Sequence, residues 1–171
     1  MKSSPDLAFT KVVAVTAQRL SEFGFKKNGN AFRLISSDNA ALIEFQKSRD
    51  NTSERLSFTV NLAVVCGLLL DPEGLTVQKS RVIDGHLRNR IGTFLLDRQD
   101  KWWEITNATD EDALSIEVSE IICNLVVPYL LRYVKTAELV TLWESGQAPG
   151  FTEGARIKKL ETLKNLLKSR I

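Results

Sequence analysis

The spacing of apolar residues changes along this chain, and the changes mark its elements. Phe9, Val12, Val13, Thr16, Ala17, Leu20 and Phe23 recur at three- and four-residue steps, one face of an amphipathic helix. Ser4 stands where an N-cap is wanted, and Pro5 suits a first helical position, whose amide has no intrahelical partner. Gly24 follows as a left-handed C-cap. The period then falls to two. Phe25 to Lys27 and Ala31 to Ser36 flank Asn28-Gly29, a pair that supplies the positive φ angles of a tight hairpin. Ser37-Asp38-Asn39 is a second turn. Ala41 to Ser48 and Arg55 to Val65 read as two longer strands, joined by the polar loop Arg49 to Glu54. Connections this short predict an antiparallel meander.

The middle of the chain is less periodic. Leu68 to Asp84 contains Asp71-Pro72-Glu73-Gly74 and reads as a loop with a short strand near Val77, while residues 86–96 fit no single pattern. Lys101 to Ile105 reads as a strand holding two tryptophans. Thr109 is expected to cap a helix whose first turn carries Asp110, Glu111 and Asp112, favourable at the positive end of the helix dipole. Leu114, Val118, Ile121, Ile122 and Leu125 continue it until Pro128, which is expected to kink or end it. Thr136 to Ser145 is a short helix ended by Gly146, Pro149-Gly150 a turn, and about Glu153 to Ser169 a last helix whose apolar series is Ile157, Leu160, Leu163, Leu167 and Ile171. The pattern predicts an α+β fold: an antiparallel sheet of about five strands, helices packed on one face, and a helical C-terminal third. Residues 1–135 are expected to form the α+β core, and residues 136–171 a helical extension packed on the same domain.

Composition narrows the class without naming a function. At 171 residues, 43% hydrophobic and 26% charged, the chain is ordinary for a globular domain that stands without metal or disulfide. The net charge is +2, but residues 154–171 hold six cations against Glu161, so the remaining residues sum to −3. Cys66 and Cys123 sit among apolar residues and read as buried thiols. Pro5 and Asp6 interrupt any signal-peptide core, and the longest apolar run, Leu62 to Leu70, is too short to cross a bilayer. A cytoplasmic protein without a membrane span is expected.

The alternation in the two long strands assigns faces. Ile43, Phe45, Leu56, Phe58 and Val60 point to one side; Glu44, Gln46, Ser48, Thr59 and Asn61 point to the other. The second set reads most simply as the solvated face of a half-buried sheet. Gln and Asn inside strands also make it a candidate hydrogen-bonding platform, because Asn is depleted there.

The ordered set Gly24-Phe25-Lys26-Lys27, Asn30-Ala31-Phe32-Arg33, Phe45-Gln46-Lys47-Ser48, Phe58-Thr59-Val60-Asn61-Leu62, Arg90-Ile91-Gly92 and Trp102-Trp103 resembles a family of mostly bacterial proteins catalogued as "domain of unknown function 4304". The likeness covers about residues 5 to 130 and leaves out the basic C-terminal helix. It implies no activity, cofactor or catalytic residue, and it points to Gln46, Ser48, Asn61, Arg90 and Trp102 as positions of interest.

Of Trp102 and Trp103, neighbours in a strand, one is expected in the core and the other on the polar face or at an edge. Arg88, Arg90, Arg98 and Lys101 form a basic cluster, with Asp97, Asp100 and Glu104 among them to pair it. His86, the single histidine, lies in a turn-like Asp84-Gly85-His86. No Gly-x-Ser-x-Gly, phosphate loop, His-Glu-x-x-His or Cys-x-x-Cys occurs. The basic last helix is expected to pack on the body with its lysines at the rim.

The reading leans away from an enzyme and toward a non-enzymatic protein-binding module, an immunity or inhibitor protein against a toxin or effector being its expected biological form. A small-ligand binder or enzyme using the polar sheet face is one alternative. A weak nucleic-acid binder using the arginine cluster is another. The binding residues expected are Gln46, Ser48, Asn61, Arg90, Trp102 and Trp103, with no catalytic residue, metal or cofactor. The expected partner is another protein; self-association is open and nucleic acid is disfavoured.

Overall fold

The structure, a computed structural model, describes residues 4–171. Helix α1 (Pro5–Ser21) starts where the Ser4 hydroxyl accepts the Leu7 amide. The turn that follows it reverses at Gly24, which adopts a left-handed φ of 89°. Phe9, Val12, Val13 and Leu20 of its apolar stripe are buried, whereas Phe23 lies past the helix and is 40% exposed.

The next four strands form the expected meander. They are β1 (Lys26–Asn28), β2 (Ala31–Ser36), β3 (Asn39–Lys47) and β4 (Arg55–Cys66), each antiparallel to the next. The first hairpin differs by one residue from the expected turn. Asn28 pairs with Ala31, so Gly29-Asn30 form the two-residue loop, and only Gly29 takes a positive φ, 60°. Glycine at the first central position is the type II′ arrangement, which matches strand twist. In the second turn Asn39 already belongs to β3 and pairs with Ser36. Its side chain is buried, donating to the Val134 carbonyl at 2.7 Å and the Thr136 hydroxyl at 2.9 Å and accepting the Gly67 amide at 3.1 Å.

The outer side of β4 is shared. Strand β5 (Leu87–Arg90) pairs with residues 61–64 and β6 (Trp103–Thr106) with residues 55–58, completing six strands. The gap between them is closed by Thr59, whose hydroxyl donates to the Lys101 carbonyl at 2.7 Å. No strand forms near Val77. Residues 67–86 instead make a strap, built of turns, that crosses one sheet face. Val77 anchors it in a small apolar cluster with Ala40, Leu42, Ala63 and Val65.

The opposite sheet face carries the main core. Phe9 meets Phe58 at 5.3 Å and Phe45 at 6.1 Å between ring centroids, and Phe58 stacks on Trp103 at 5.4 Å. Each such contact adds about 1 kcal/mol beyond burial. Helix α2 (Glu111–Ile121) lies beside α1, tied to it by Lys11 to Glu111 and by Arg19 to the Ser119 hydroxyl. Its N-cap is Asp110, not Thr109, because the Thr109 hydroxyl already accepts the Thr106 amide. Pro128 does not end the helix. A π turn over Ile122–Val126 leads straight into α3 (Val127–Tyr133), so the missing proline amide falls where the hydrogen-bond ladder is already shifted. The run Glu111–Tyr133 is long and apolar enough to cross a membrane by length and composition, but half of an 18-residue apolar stretch within it is buried inside this domain.

Helices α4 (Thr136–Glu144) and α5 (Glu153–Lys168) join the same core through Leu139, Trp143 and Leu163. They stand at the end of the sheet holding the β2–β3 turn, where Arg170 pairs with Asp38 at 2.9 Å. Lys164 pairs with Glu144, and Lys159 covers the Phe151 ring at 5.4 Å. Cys66 and Cys123 are free and buried, and burial pushes both thiols up.

Candidate functional site

Strand register converts the polar face into rows. Residues opposite one another across an antiparallel pair share a face. One row crosses five strands as Asn28, Ala31, Glu44, Asn61 and Arg90; the next runs Lys26, Arg33, Leu42, Ala63 and Arg88. Gln46 sits diagonally from Asn61, whose amide donates to the Gln46 side-chain oxygen at 2.7 Å.

The strap divides this face. Arg33 clamps it by donating to the carbonyls of Gln78 and Ser80, while its Nε is buried without a partner. Arg81 follows and lies 3.9 Å from the Glu44 carboxylate. A first cleft of about 940 Å³ lies between the β1–β2 hairpin and strap residues 78–82; Lys26, Lys27, Arg33 and Lys79 line it. A second, of about 590 Å³, lies on the other side of Arg81 and is lined by Gln46, Asn61, Arg88 and Arg90. Both clefts share Glu44, Arg81 and Val82.

The six expected binding residues separate into two groups. Gln46, Asn61 and Arg90 converge at the second cleft. Trp102 stands beside them, half-buried. Its indole N–H donates to Asp100 at 3.0 Å, the same carboxylate accepts from Arg90 at 2.7 Å, and the Arg90 guanidinium lies 5.7 Å from the Trp102 ring. Ser48 lies elsewhere, at the end of β3, where its hydroxyl accepts the Asp50 amide and organises the 49–54 loop. Trp103 points into the core, and its N–H donates to Glu117 at 2.9 Å. Thr59 is fully buried under the Lys101 segment, so it is not offered on the polar face.

His86 is structural. It is 7% exposed, and its Nδ1 accepts the Cys66 amide at 3.0 Å. Burial first, and the Lys159 ammonium second, lower its pKa to about 4, with Asp84 acting against them. Within the basic cluster Asp100 holds Arg90, whereas Glu104 faces Arg55, outside the cluster, at 3.7 Å. From the core side, the Tyr129 hydroxyl bonds Asn89 of β5, and burial pushes that phenol up to about 12.

Among the described residues no cluster of His, Cys, Asp and Glu suits a metal ion. The sequence reading missed the first cleft, because Lys26 and Lys79 lie far apart in the chain and only the register of β1 and the Arg33 clamp bring them together.

The model of a family described as a domain of unknown function (DUF4304) matches residues 16–132, more than half of the chain, and the chain belongs to that family. No curated protein and no solved structure matches it. The matched span holds all six strands, the strap and the lining of both clefts except Gly150. Helices α4 and α5 lie beyond it.

Proposed function

We propose that this member of the DUF4304 family is a non-enzymatic binding module that engages a partner protein through the second cleft. The observation that carries this reading is the convergence of Gln46, Asn61 and Arg90 beside a half-buried tryptophan. The Asn61–Gln46 bond leaves the Gln46 amide hydrogens and the Asn61 carbonyl oxygen available to a partner. Arg and Trp are the side chains most enriched at the energetic centres of interfaces. The buried His86 is spent on the Cys66 amide, which argues against acid–base chemistry at this face. If the module blocks a toxin or effector, as the sequence leads one to expect, the face bearing Gln46 is the one that meets the target.

The test places a photo-cross-linking amino acid at position 46, and in a control at Glu120 on exposed α2 surface, in cells of the native host. A discrete adduct from position 46, absent from position 120 and removed by the added substitution Asn61→Ala, is expected. No adduct from position 46, or the same adduct from both positions, overturns the reading.

A further inference from the structure

We propose that the first cleft takes an acidic, extended segment of the partner protein. The inference names the chemistry of the partner assigned above and rests on that binding role.

Charge is the first ground. Lys26, Lys27, Arg33, Lys79 and Arg81 line the cleft, and Glu44 is its one carboxylate. Lys26, Lys27 and Lys79 are exposed and make no ion pair among the described residues, unlike Lys11, Lys47, Arg90 and Arg132 elsewhere on the surface. Lys26, on the cleft face, and Lys79, on the strap, thus add uncompensated charge to one concavity of a body that is net acidic outside its last helix. An anionic occupant complements that charge.

Shape and floor decide which anion. The register places Lys26, Arg33 and Leu42 in one row across three strands of the first cleft, about 10 Å at the usual strand spacing. A ligand that follows this row spans it with about three extended residues. The floor is apolar, from Ala31 and Leu42, with Ile35 exposed at the outer wall. Beyond Arg33 the outer edge of β2 has no strand partner, which leaves the Ile35 backbone open to an added chain. The aromatic residues of the lining, Phe32 and Phe45, are buried in the core behind the sheet, so the cleft offers no stacking platform of the kind single-stranded nucleic acid uses.

Fluorescence anisotropy with defined probes tests the inference: a labelled Asp/Glu-rich peptide, its Asn/Gln isostere, and a single-stranded oligonucleotide of equal charge. The acidic peptide is expected to bind, the isostere not, and the affinity to fall as salt rises. Lys26→Glu, Lys27→Glu and Lys79→Glu together should weaken binding by at least about tenfold. An equal charge change at Lys135, Lys158 and Lys168 should leave it within about twofold. A thermal melt of each variant checks folding, and the isostere and salt arms stand on the wild-type protein alone. Equal loss in both triple variants, tighter binding of the oligonucleotide, or binding of the isostere overturns the inference. Persistence of the position-46 adduct in the cleft variant overturns the acidic reading alone, while absence of that adduct from the otherwise unsubstituted protein refutes the binding role itself.

Discussion

Lowering the pH should destabilise this protein through one side chain. The neutral His86 ring is buried and accepts the Cys66 amide through Nδ1, so protonation both charges a desolvated group and removes an acceptor. Its folded pKa is about 4, against 6.5 in an exposed chain. Between these values the unfolded state binds the extra proton and the folded state does not. Stability is therefore fully present above about pH 6.5, declines as pH falls through the window, and levels off below about pH 4. The shift corresponds to about 3 kcal/mol in total, of which about 2 kcal/mol is lost by about pH 5. Urea unfolding across this range gives the slope, and His86→Asn isolates it, since the Asn oxygen can replace Nδ1 as an acceptor that does not titrate. The wild type should lose about 2 kcal/mol more than His86→Asn between about pH 7 and pH 5. The chain has one histidine, so its ring proton resonance reports the folded titration without assignment. A resonance titrating near pH 6.5 in the folded protein, or equal slopes in the two proteins, would refute the reasoning.

Three further outcomes follow from the packing. Asn39→Ala strands the Gly67 amide and the Val134 carbonyl in a buried site, and its urea midpoint should report a loss of about 3 kcal/mol. Thr59→Val leaves the Lys101 carbonyl without its donor, at a cost of about 1–2 kcal/mol, whereas Thr59→Ser should cost less in the same assay. Gly92→Ala sets a Cβ 2.0 Å from the Gln99 carbonyl oxygen and 2.9 Å from the Lys101 amide, so residues 99–101 must move. It should cost more than about 2 kcal/mol and shift the tryptophan emission as Trp102 leaves Asp100; an unchanged spectrum and melt would contradict the close approach.

Much of the fold was readable because local signals agreed with one another. In α1 the cap, the proline, the apolar stripe and the terminal glycine all point to the same helix. In the stretches Ile43 to Lys47 and Leu56 to Leu62 alternation separates the faces without reference to any neighbour, whereas the other ends of β3 and β4 are apolar on both sides. The discrepancies arise where two residues compete for one role. Thr109 and Asp110 are both good caps, and the winner depends on whether Thr109 is already bonded to Thr106. Asn28 and Asn30 both flank Gly29, and one residue of register decides between them. Val77 sits among polar residues, and only the small face formed by Ala40, Leu42, Ala63 and Val65 explains its burial. The candidate site follows the same logic. Gln46, Asn61 and Arg90 could be placed on one face from alternation and pairing, but Ser48 lies one step past the last ladder pair, where the loop claims its hydroxyl. The lysines of the first cleft are brought together by contacts distant in sequence, which no window of the chain displays.

Arg81 stands on the wall between the two clefts and faces the carboxylate that both share. An occupant on either side that draws this guanidinium toward itself alters the field and the free volume on the other. Two ligands that each draw on this guanidinium would be thermodynamically linked through it. Whatever factor the first occupant imposes on the affinity of the second, the second must impose on the first.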